Sequence, residues 1–399
     1  MPSFNEKIRR WRLAVIGGGS AAAVQVRQGD VPPQETIVIG ARWGTGMEFL
    51  GNFILQSYVE ELQVSDSPGG LRSVVDPGQL RPSASQFDGY VRDSLMSSGA
   101  VLKQGRVLEI EGTEGAFLIH VLNGDGTISY VCAESVVLAT GSAPRQPSRR
   151  WAEAGAVSHE VVHADIAQRR TERWAGRSVI VVGAGNSGMQ AAALVAPDAA
   201  EVVLLGNRYV GMFPTENPDR FAWRAPSQLT YELVGKSALE CGERKWRTPC
   251  VRHLVYDGLD VEGGRVSWTY SESRNQNPLG SRSLPGRCRH AQAAERTPSG
   301  PADWRESRDL ARTTVVWATG NEPVFPGGEL VATLVRDDKG ALAVDEFGAT
   351  STPGVFALGA CAGQPSVNET TPALVRAERR FFQRSLRPAG ATAAKEVLT

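Results

Sequence analysis

Two glycine-rich loops carry the clearest chemical signal in the sequence. The first spans residues 15–22 with the letters VIGGGSAA, and the second spans residues 181–188 with the letters VVGAGNSG. Each follows an apolar run typical of a buried parallel strand and precedes small residues typical of a helix. In such a unit the glycines permit a tight turn and let a pyrophosphate approach the backbone, while the helix N-terminus supplies free N–H groups. The two loops therefore predict two dinucleotide sites on one chain.

Both loops lie among short elements that would hold them at the edge of a sheet. In the first half, apolar runs at 13–16 and 36–39 predict two strands on either side of a helix. An apolar run that ends in the letters ATG occurs after each loop, at 136–141 and, with one tryptophan, at 315–320. This internal repeat predicts an α/β fold with two Rossmann-like, three-layer (ββα) dinucleotide-binding domains.

Other elements follow from periodicity and turn residues. Residues 87–96 carry apolar side chains at helical spacing, and the NGDG letters at 123–126 predict a hairpin turn between two strands. The apolar run at 201–205 predicts the second strand of the second half. We also expect a last helix around 372–386.

Residues 271–312 differ in composition from the rest of the chain. They are rich in arginine, serine, proline and glycine and poor in large apolar side chains, which predicts an exposed or partly disordered insertion. A solvated loop is one interpretation and a basic patch is the other. The arginines of such a patch would be Arg274, Arg282, Arg287, Arg289 and Arg296.

Charge and hydropathy exclude several classes of partner. Lys and Arg total 43, as do Asp and Glu, so the absence of net charge argues against nucleic acid or an anionic membrane as a partner. No apolar run approaches the roughly 20 residues that span a bilayer. The basic segment 7–12 precedes an apolar run of four residues, too short for a signal peptide, so we expect a cytoplasmic protein.

The cysteines predict isolated thiols rather than a cross-linked framework. Their number is odd, none are spaced C-x-x-C, and the five histidines share no ligand spacing with them. We therefore expect no disulfide framework and no metal site. The cysteines are Cys132, Cys241, Cys250, Cys288 and Cys361.

These motifs together resemble the two-dinucleotide-binding-domain flavoproteins, which include flavin monooxygenases and thioredoxin-reductase-like enzymes. The two ATG turns match the superfamily, as does the run at 352–359 (TPGVFALG), which would end beside the flavin ribityl chain. The second loop and the turn at 43–47 (WGTGM) resemble the monooxygenase branch. His159, four positions after Gly155, resembles that branch's linker motif, although a plain linker histidine is the alternative. A disulfide reductase would need a redox cysteine pair, which the spacings do not supply.

The resemblance implies a domain order. Residues 1–160 and 321–399 would form an FAD-binding domain, and residues 161–320 would form an NAD(P)H-binding domain inserted into it, with the insertion at 271–312. FAD would lie on Gly17, Gly19, Ser20, Ala22, Arg42, Trp43, Met47, Val107, Ala139, Thr140, Gly141, Gly359 and Ala360. NADPH would lie on Gly183, Gly185, Asn186, Ser187, Gly188, Arg208, Thr319 and Gly320, with Arg208 suited to a 2′-phosphate.

Two positions depart from the superfamily pattern. Gly40 and Ala41 stand where an acid would bind the ribose hydroxyls, and Ala360 stands where an aspartate would reach the ribityl chain. Arg42 could compensate by stacking on the adenine or reaching a phosphate. A first site that no longer binds FAD stays open as the alternative.

By resemblance the chain would be an FAD- and NADPH-dependent monooxygenase. It would oxygenate a nitrogen or sulfur of a small molecule with O2 through a C4a-(hydro)peroxyflavin, and Asn52 could hydrogen-bond that adduct. Two alternatives remain, namely an FAD-dependent NAD(P)H oxidoreductase without oxygen insertion and a non-catalytic nucleotide-binding protein. The partners would be a small substrate and O2, and homo-oligomerisation is left open.

Overall fold

The computed structural model describes residues 9–47, 55, 57–65, 70–207, 251–271, 296–300, 303–364 and 367–376. The chain divides into two compact units. Unit 1 comprises Met1–Ala143 and Glu322–Thr399, and unit 2 comprises Pro144–Asn321, so unit 2 is inserted in the sequence of unit 1. No helix of the described ranges is long and apolar enough to cross a membrane.

A strand, a helix and a second strand follow one another around each glycine-rich loop, as the α/β prediction requires. The strands are β1 Arg10–Ile16, β2 Thr36–Gly40, β3 Val101–Gln104, β4 Arg106–Thr113, β5 Ala116–Leu122, β6 Ile128–Leu138, β7 Ser142–Pro144, β8 Val157–Ser158, β9 Ser178–Val182, β10 Glu201–Gly206, β11 Val251–Val255, β12 Gly258–Glu262, β13 Arg265–Ser271, β14 Arg296–Gly300, β15 Asp303–Asp309, β16 Thr313–Trp317, β17 Asn321–Pro323 and β18 Val355–Ala357. The helices are α1 Ser20–Gln28, α2 Ala84–Met96, α3 Arg149–Glu153, α4 His159–Ala167, α5 Asn186–Val195 and α6 Glu329–Ala332.

Unit 1 is built on one sheet with the order β3-β2-β1-β6-β5-β4, and β18 also pairs with β6. The pairs among β1, β2, β3, β6 and β18 are parallel, whereas β4, β5 and the first part of β6 form an antiparallel meander. All five residues of β2 are buried, as expected of a parallel strand covered on both faces. The predicted strands at 13–16 and 36–39 and the helix at 87–96 are confirmed within β1, β2 and α2.

Unit 2 repeats this design with a parallel sheet in the order β11-β10-β9-β16-β8. Its apolar strands β9, β10 and β16 carry the predicted runs, and α5 follows the second glycine-rich loop. A separate antiparallel sheet, in the order β12-β13-β15-β14, belongs to the same unit. Each unit has a set of parallel strands and a helix that follows its glycine-rich loop, and this arrangement confirms the predicted fold class.

The prediction of an exposed or partly disordered insertion over 271–312 is wrong for residues 296–300 and 303–312. Residues 296–300 form β14, which pairs with β15. Residues 303–309 form β15, which pairs with β13 along seven residues, and a 3-10 turn follows at Leu310–Arg312. Composition misled because Glu306 is completely buried and binds the equally buried Arg252, through Nη2–Oε1 and Nη1–Oε2 distances of 2.7 and 3.0 Å. The Tyr270 hydroxyl also donates to Glu306, at 2.8 Å. Of the arginines that would form a basic patch, Arg296 begins β14, and the other four lie outside the described residues.

The prediction of a last helix around 372–386 is wrong at its start. Residues 372–376 form no helix, and the rest lie outside the described residues. Ala373 N–H donates to the buried Gln25 side chain at 2.7 Å, and Val375 and Arg376 N–H donate to Asp30 at 3.1 and 2.7 Å. These amides therefore donate to side chains of α1 and of the loop after it rather than to the carbonyls of a helix.

Candidate nucleotide-binding sites

The first glycine-rich loop joins β1 to α1 and is held on both sides by neighbouring strands. Gly17 has φ +130°, and its N–H donates to Ile39 O at 2.8 Å. A Cβ on Gly17 would lie 2.2 Å from Ala139 O, in the ATG turn that follows β6. The fold therefore brings together the predicted residues Gly17 and Ala139 and leaves no room for a side chain between them.

Gly19 lies at the open side of this loop. A Cβ there would meet nothing nearer than Gly44 O, at 3.7 Å. Gly19 is also the N-cap of the nine-residue helix α1, and no side chain caps it. Among the described residues, no side chain therefore caps the first amides of α1, and such uncapped amides fit an anionic pyrophosphate.

The second loop repeats this geometry in unit 2. Gly183 has φ +106°, donates its N–H to Leu205 O at 2.7 Å, and a Cβ there would lie 2.2 Å from Ala318 O. A Cβ on Gly188 would lie 1.7 Å from Gly183 O, so this glycine lets α5 pack directly on the loop. A Cβ on Gly185 would meet nothing within 4 Å, and no side chain caps α5. This site has the same open cradle as the first.

The ATG turns lie beside the two loops. Thr140 Oγ1 donates to Val324 O, and Gly141 follows with φ +70°. Thr319 is exposed, and Gly320 has φ +97° with open space around its Cβ position. Both turns therefore lie next to a glycine-rich loop and present backbone to open space.

The turn after β2 packs tightly on the first loop. Gly44 N–H donates to Gly18 O at 2.9 Å, and a Cβ on Gly18 would lie 2.0 Å from Arg42 O and 2.9 Å from the Trp43 ring. Trp43 and Met47 also pack against the apolar core. The guanidinium of the exposed Arg42 lies over Gly46, where a Cβ would be 2.2 Å from Cζ. The predicted residues 42, 43 and 47 thus surround the first loop.

A buried carboxylate, which the sequence analysis missed, holds this turn. Asp88 in α2 is 2% exposed, and its Oδ1 accepts from Thr45 N–H at 2.7 Å, Thr45 Oγ1 at 2.8 Å and Gly46 N–H at 3.0 Å. Arg92 lies 3.9 Å from the other oxygen. The signal was present in the helical pattern, because Asp88 stands in the apolar stripe formed with Phe87, Val91 and Leu95.

The structure leaves little room for an acid at Gly40. A Cβ on Gly40 would lie 3.0 Å from both Gly18 N and the Trp43 ring, so a longer side chain would have to displace the indole. Gly105 N–H donates to Gly40 O at 3.0 Å, which puts the start of β4 and Val107 beside the end of β2. The charged side chain next to Gly40 in the sequence is the exposed Arg42, two residues later.

The segment after β18 returns to the first loop. Gly359 has φ +74°, and a Cβ there would lie 2.6 Å from Ala21 Cβ in the first turn of α1. Its N–H donates to Gln364 Oε1 at 2.9 Å, while Ala360 is half-buried. Cys361 is fully buried, with Sγ 3.2 Å from Leu138 O, and burial raises the pKa of its thiol. Gly359 and Ala360 therefore lie at the first site, and Cys361 is a packed thiol rather than a reactive thiolate.

The remaining candidates fall elsewhere. Ser20 and Ala22 lie in the first turn of α1, and Ser187 in the first turn of α5. His159 begins α4 and is buried, and burial lowers the pKa of its imidazole. The centroids of the His159 and His163 rings are 6.0 Å apart. Asn52, Arg208 and the side chain of Asn186 lie outside the described residues.

Comparisons with known proteins agree with this geometry. A family model described as pyridine nucleotide-disulphide oxidoreductase matches residues 11–219 and 302–379, which is more than half of the chain. A glutathione reductase from Yarrowia lipolytica is 22% identical over 406 residues, which cover 96% of this chain and 73% of that protein.

Solved structures with the same fold include both oxygenases and reductases. An ornithine N-hydroxylase from Kutzneria sp. 744 has a TM-score of 0.60 at 17% identity, with 88% of this chain and 92% of that chain covered. A flavin-containing monooxygenase from Stenotrophomonas maltophilia has a TM-score of 0.57 at 18% identity, with 94% and 98% covered. A bacillithiol disulfide reductase from Bacillus cereus has a TM-score of 0.57 at 18% identity, with 91% and 94% covered.

The predicted superfamily is therefore confirmed, and these structural likenesses show the fold. The specific chemistry is a separate question, because relatives of both kinds share that fold. The chain belongs to the pyridine nucleotide-disulphide oxidoreductase family, whose members bind FAD and use NAD(P)H.

Proposed function

We propose that this chain is a monooxygenase that uses FAD, NADPH and O2 to oxygenate a nitrogen or sulfur of a small molecule. The observation that carries the proposal is the pair of open glycine cradles, at Gly19 in unit 1 and at Gly185 in unit 2, within a chain whose sequence has no C-x-x-C pair. Bound FAD would accept a hydride and react with O2, and this chemistry belongs to the cofactor.

The residues of unit 1 supply binding and orientation. The free amides of α1 would bind the pyrophosphate, and Gly19 would let it approach the backbone. Arg42 would add a positive charge beside the phosphates, in place of the ribose acid that Gly40 excludes. Asp88 would keep the Trp43–Met47 turn in place through its three hydrogen bonds.

The cysteines favour an acceptor other than a protein disulfide. Cys361, which lies near the first loop, is buried and has a raised thiol pKa. Cys132 stands in β6 and is the other free cysteine among the described residues. A thiol with a raised pKa is a poor nucleophile and a poor partner for thiol–disulfide exchange. These two cysteines therefore favour O2 or a small acceptor as the electron acceptor, while Cys241, Cys250 and Cys288 lie outside the described residues.

A flavin-dependent reductase without oxygen insertion is the second candidate. It is favoured by the family description and by the likeness to a bacillithiol disulfide reductase. The likeness to an enzyme named an ornithine N-hydroxylase favours attack on nitrogen instead. The two functions differ in the fate of O2, so one experiment separates them.

The experiment measures hydrogen peroxide released per NADPH oxidised, in 18O2, with a panel of alkylamines and thioethers. If the chain is a monooxygenase, we expect that one of these compounds lowers the ratio of peroxide released to NADPH oxidised well below one. We also expect the oxidised form of that compound to carry 18O. Peroxide equal to NADPH oxidised with every compound, together with fast NADPH oxidation by a quinone or a low-molecular-weight disulfide, would establish the reductase.

The preference for NADPH rests on Arg208, which follows β10 in the sequence. An arginine there would bind the 2′-phosphate that NADH lacks. Arg208→Ala should raise KM for NADPH at least tenfold and leave KM for NADH unchanged. The control is Arg149→Ala, which removes an exposed arginine of α3. Equal KM effects on both nucleotides would refute the assignment.

A further inference from the structure

A cluster of three metal-ligand side chains lies on the antiparallel part of unit 1. We call Glu109, Glu111 and His120 the strand trio. Glu109 and Glu111 are two residues apart on β4 and therefore project from the same face of the sheet, and His120 on β5 is the direct cross-strand partner of Glu109. The register alone thus brings two carboxylates and one imidazole to one place.

The ligand atoms of the strand trio are close enough to share one ion. One carboxylate oxygen from each glutamate and one imidazole nitrogen lie within 4.8 Å of one another. His120 Nε2 is buried and 3.3 Å from Glu111 Oε1, yet it makes no geometrically sound hydrogen bond. A buried imidazole nitrogen that faces a carboxylate without a hydrogen bond is available as a ligand.

The charges of the strand trio also favour a cation. Glu109 and Glu111 place two negative charges side by side, and among the described residues no Lys or Arg forms a salt bridge with either of them. Two carboxylates at this distance repel each other unless a positive charge lies between them. A divalent ion would remove that repulsion and would satisfy His120 Nε2 at the same time.

Packing positions two members of the trio, Glu109 and His120, whereas the Glu111 side chain is half exposed. The opposite face of β4 and β5 is core, with Ile110 and Ile119 fully buried. The Tyr130 ring meets the His120 ring edge-on at a centroid distance of 5.0 Å, which fixes the imidazole plane. Glu109 lies against Gly328, where a Cβ would be 2.8 Å from Glu109 Cγ. Ligands fixed in this way cost little to order when an ion binds.

We propose that the strand trio binds a divalent transition-metal ion of the zinc type, through Glu109, Glu111 and His120, with water completing the coordination. The mixed nitrogen and oxygen ligands suit zinc better than calcium or magnesium, which take oxygen alone. The ion would tie β4 to β5 and stabilise unit 1. The proposal is independent of the flavin chemistry, because it concerns the meander and neither glycine-rich loop.

The test is an isothermal titration of the chelator-treated full chain with ZnCl2, repeated with MgCl2. Cysteines and histidines outside the described residues can also bind zinc, so the informative quantity is the difference between variants. The variants are Glu109→Gln and His120→Ala, and the control is Glu134→Gln, a half-exposed glutamate of β6 that pairs with Arg10. Thermal unfolding with and without zinc provides a second readout.

We expect Glu109→Gln and His120→Ala each to lose one zinc equivalent or to weaken its binding at least about tenfold. The control should keep that equivalent, and zinc should raise the unfolding temperature of the wild type and the control alone. If His120→Ala fails to fold, the isosteric Glu109→Gln decides. Zinc binding that is equal in the wild type and Glu109→Gln, or absent from the wild type, would overturn the proposal.

Discussion

Gly17 and Gly19 are two positions apart in the first loop and have different tasks. Gly17 is required by the fold, since its φ of +130° and the nearby Ala139 O exclude a side chain. Gly19 has an ordinary extended backbone with open space around its Cβ position. Gly183 and Gly185 repeat this division of tasks in unit 2. Among the described residues, no neighbour therefore requires a glycine at Gly19 or Gly185, and we propose that both glycines serve ligand approach.

This difference gives a prediction at the residue scale. Gly19→Ala should change the free energy of unfolding by less than about 0.5 kcal/mol, because the added methyl group meets open space. It should nevertheless weaken FAD binding at least tenfold, since the methyl group would occupy the pyrophosphate position. Gly185→Ala should do the same to NADPH alone. Titrations of both variants with FAD and with NADPH check that Gly19 affects only FAD binding and Gly185 only NADPH binding.

The matched controls are Gly17→Ala and Gly183→Ala. They should destabilise the chain by about 1–3 kcal/mol, as expected of a residue forced into a disfavoured conformation. Unchanged FAD affinity in Gly19→Ala would mean that no pyrophosphate lies at that position.

Asp88 gives a second prediction at this scale. Each hydrogen bond to a charged group contributes about 1.5–3 kcal/mol, and Asp88 accepts three from Thr45 and Gly46. Asp88→Ala should therefore release the turn at 43–47 and weaken FAD binding while NADPH binding persists. Asp88→Asn keeps one oxygen acceptor and should restore most of the affinity for FAD. If both variants lose NADPH binding as well, Asp88 supports the whole fold rather than the turn.

Among the elements, β11 and β15 are joined by the buried pair Arg252–Glu306, which links the parallel sheet of unit 2 to its antiparallel sheet. Glu306→Gln would remove the buried carboxylate of Arg252 and leave only Glu201, whose Oε1 is 3.5 Å from Nη1, among its described acidic partners. Breaking a buried pair in this way costs about 3–5 kcal/mol. The control Glu153→Gln breaks the exposed pair Arg149–Glu153 and should cost less than about 0.5 kcal/mol. Urea unfolding of both variants measures their free energies of unfolding. Equal losses in the two variants would contradict the importance of the buried pair.

The helix α4 predicts a pH dependence. Burial, together with the neighbouring His159, lowers the pKa of His163 to about 4. In the unfolded chain His163 binds a proton as the pH falls through about 6.5, whereas in the folded chain it stays neutral down to about pH 4. The free energy of unfolding therefore decreases as the pH falls below about 6.5. We expect the free energy of unfolding to fall by about 2 kcal/mol between pH 7.5 and pH 5 from this residue. His163→Gln should remove this contribution to the pH dependence of the free energy of unfolding. An unchanged pH dependence in this variant would refute the role of His163.

Sequence patterns predicted the elements whose residues obey one local rule. The buried strands around Gly17 and Gly183 and the helix at 87–96 follow from periodicity and glycine chemistry. Residues 303–312 were mispredicted because the partner that lets Glu306 be buried is Arg252, more than 50 positions earlier. The residue Asp88 and the strand trio were missed for the same reason, since their contacts come from helix docking and strand register rather than from spacing along the chain.

At the scale of the whole molecule, each unit has its own parallel sheet and its own glycine cradle. Unit 1 combines β1, the turn after β2 and the return segment at Gly359 around one loop. Two departures, Gly40 and Ala360, remove charged contacts that the superfamily pattern contains. We expect the free amides of α1 and the guanidinium of Arg42 to compensate. We propose that unit 1 binds FAD and that NADPH bound to unit 2 reduces it.

The most direct test is the visible absorption spectrum of the purified chain, recorded without oxygen, before and after addition of NADPH. We predict the two bands of a bound oxidised flavin, and we predict that NADPH bleaches them. Readmission of air should restore the bands. A colourless chain that also fails to take up added FAD would contradict the claim, and it would leave a nucleotide-binding protein without flavin chemistry.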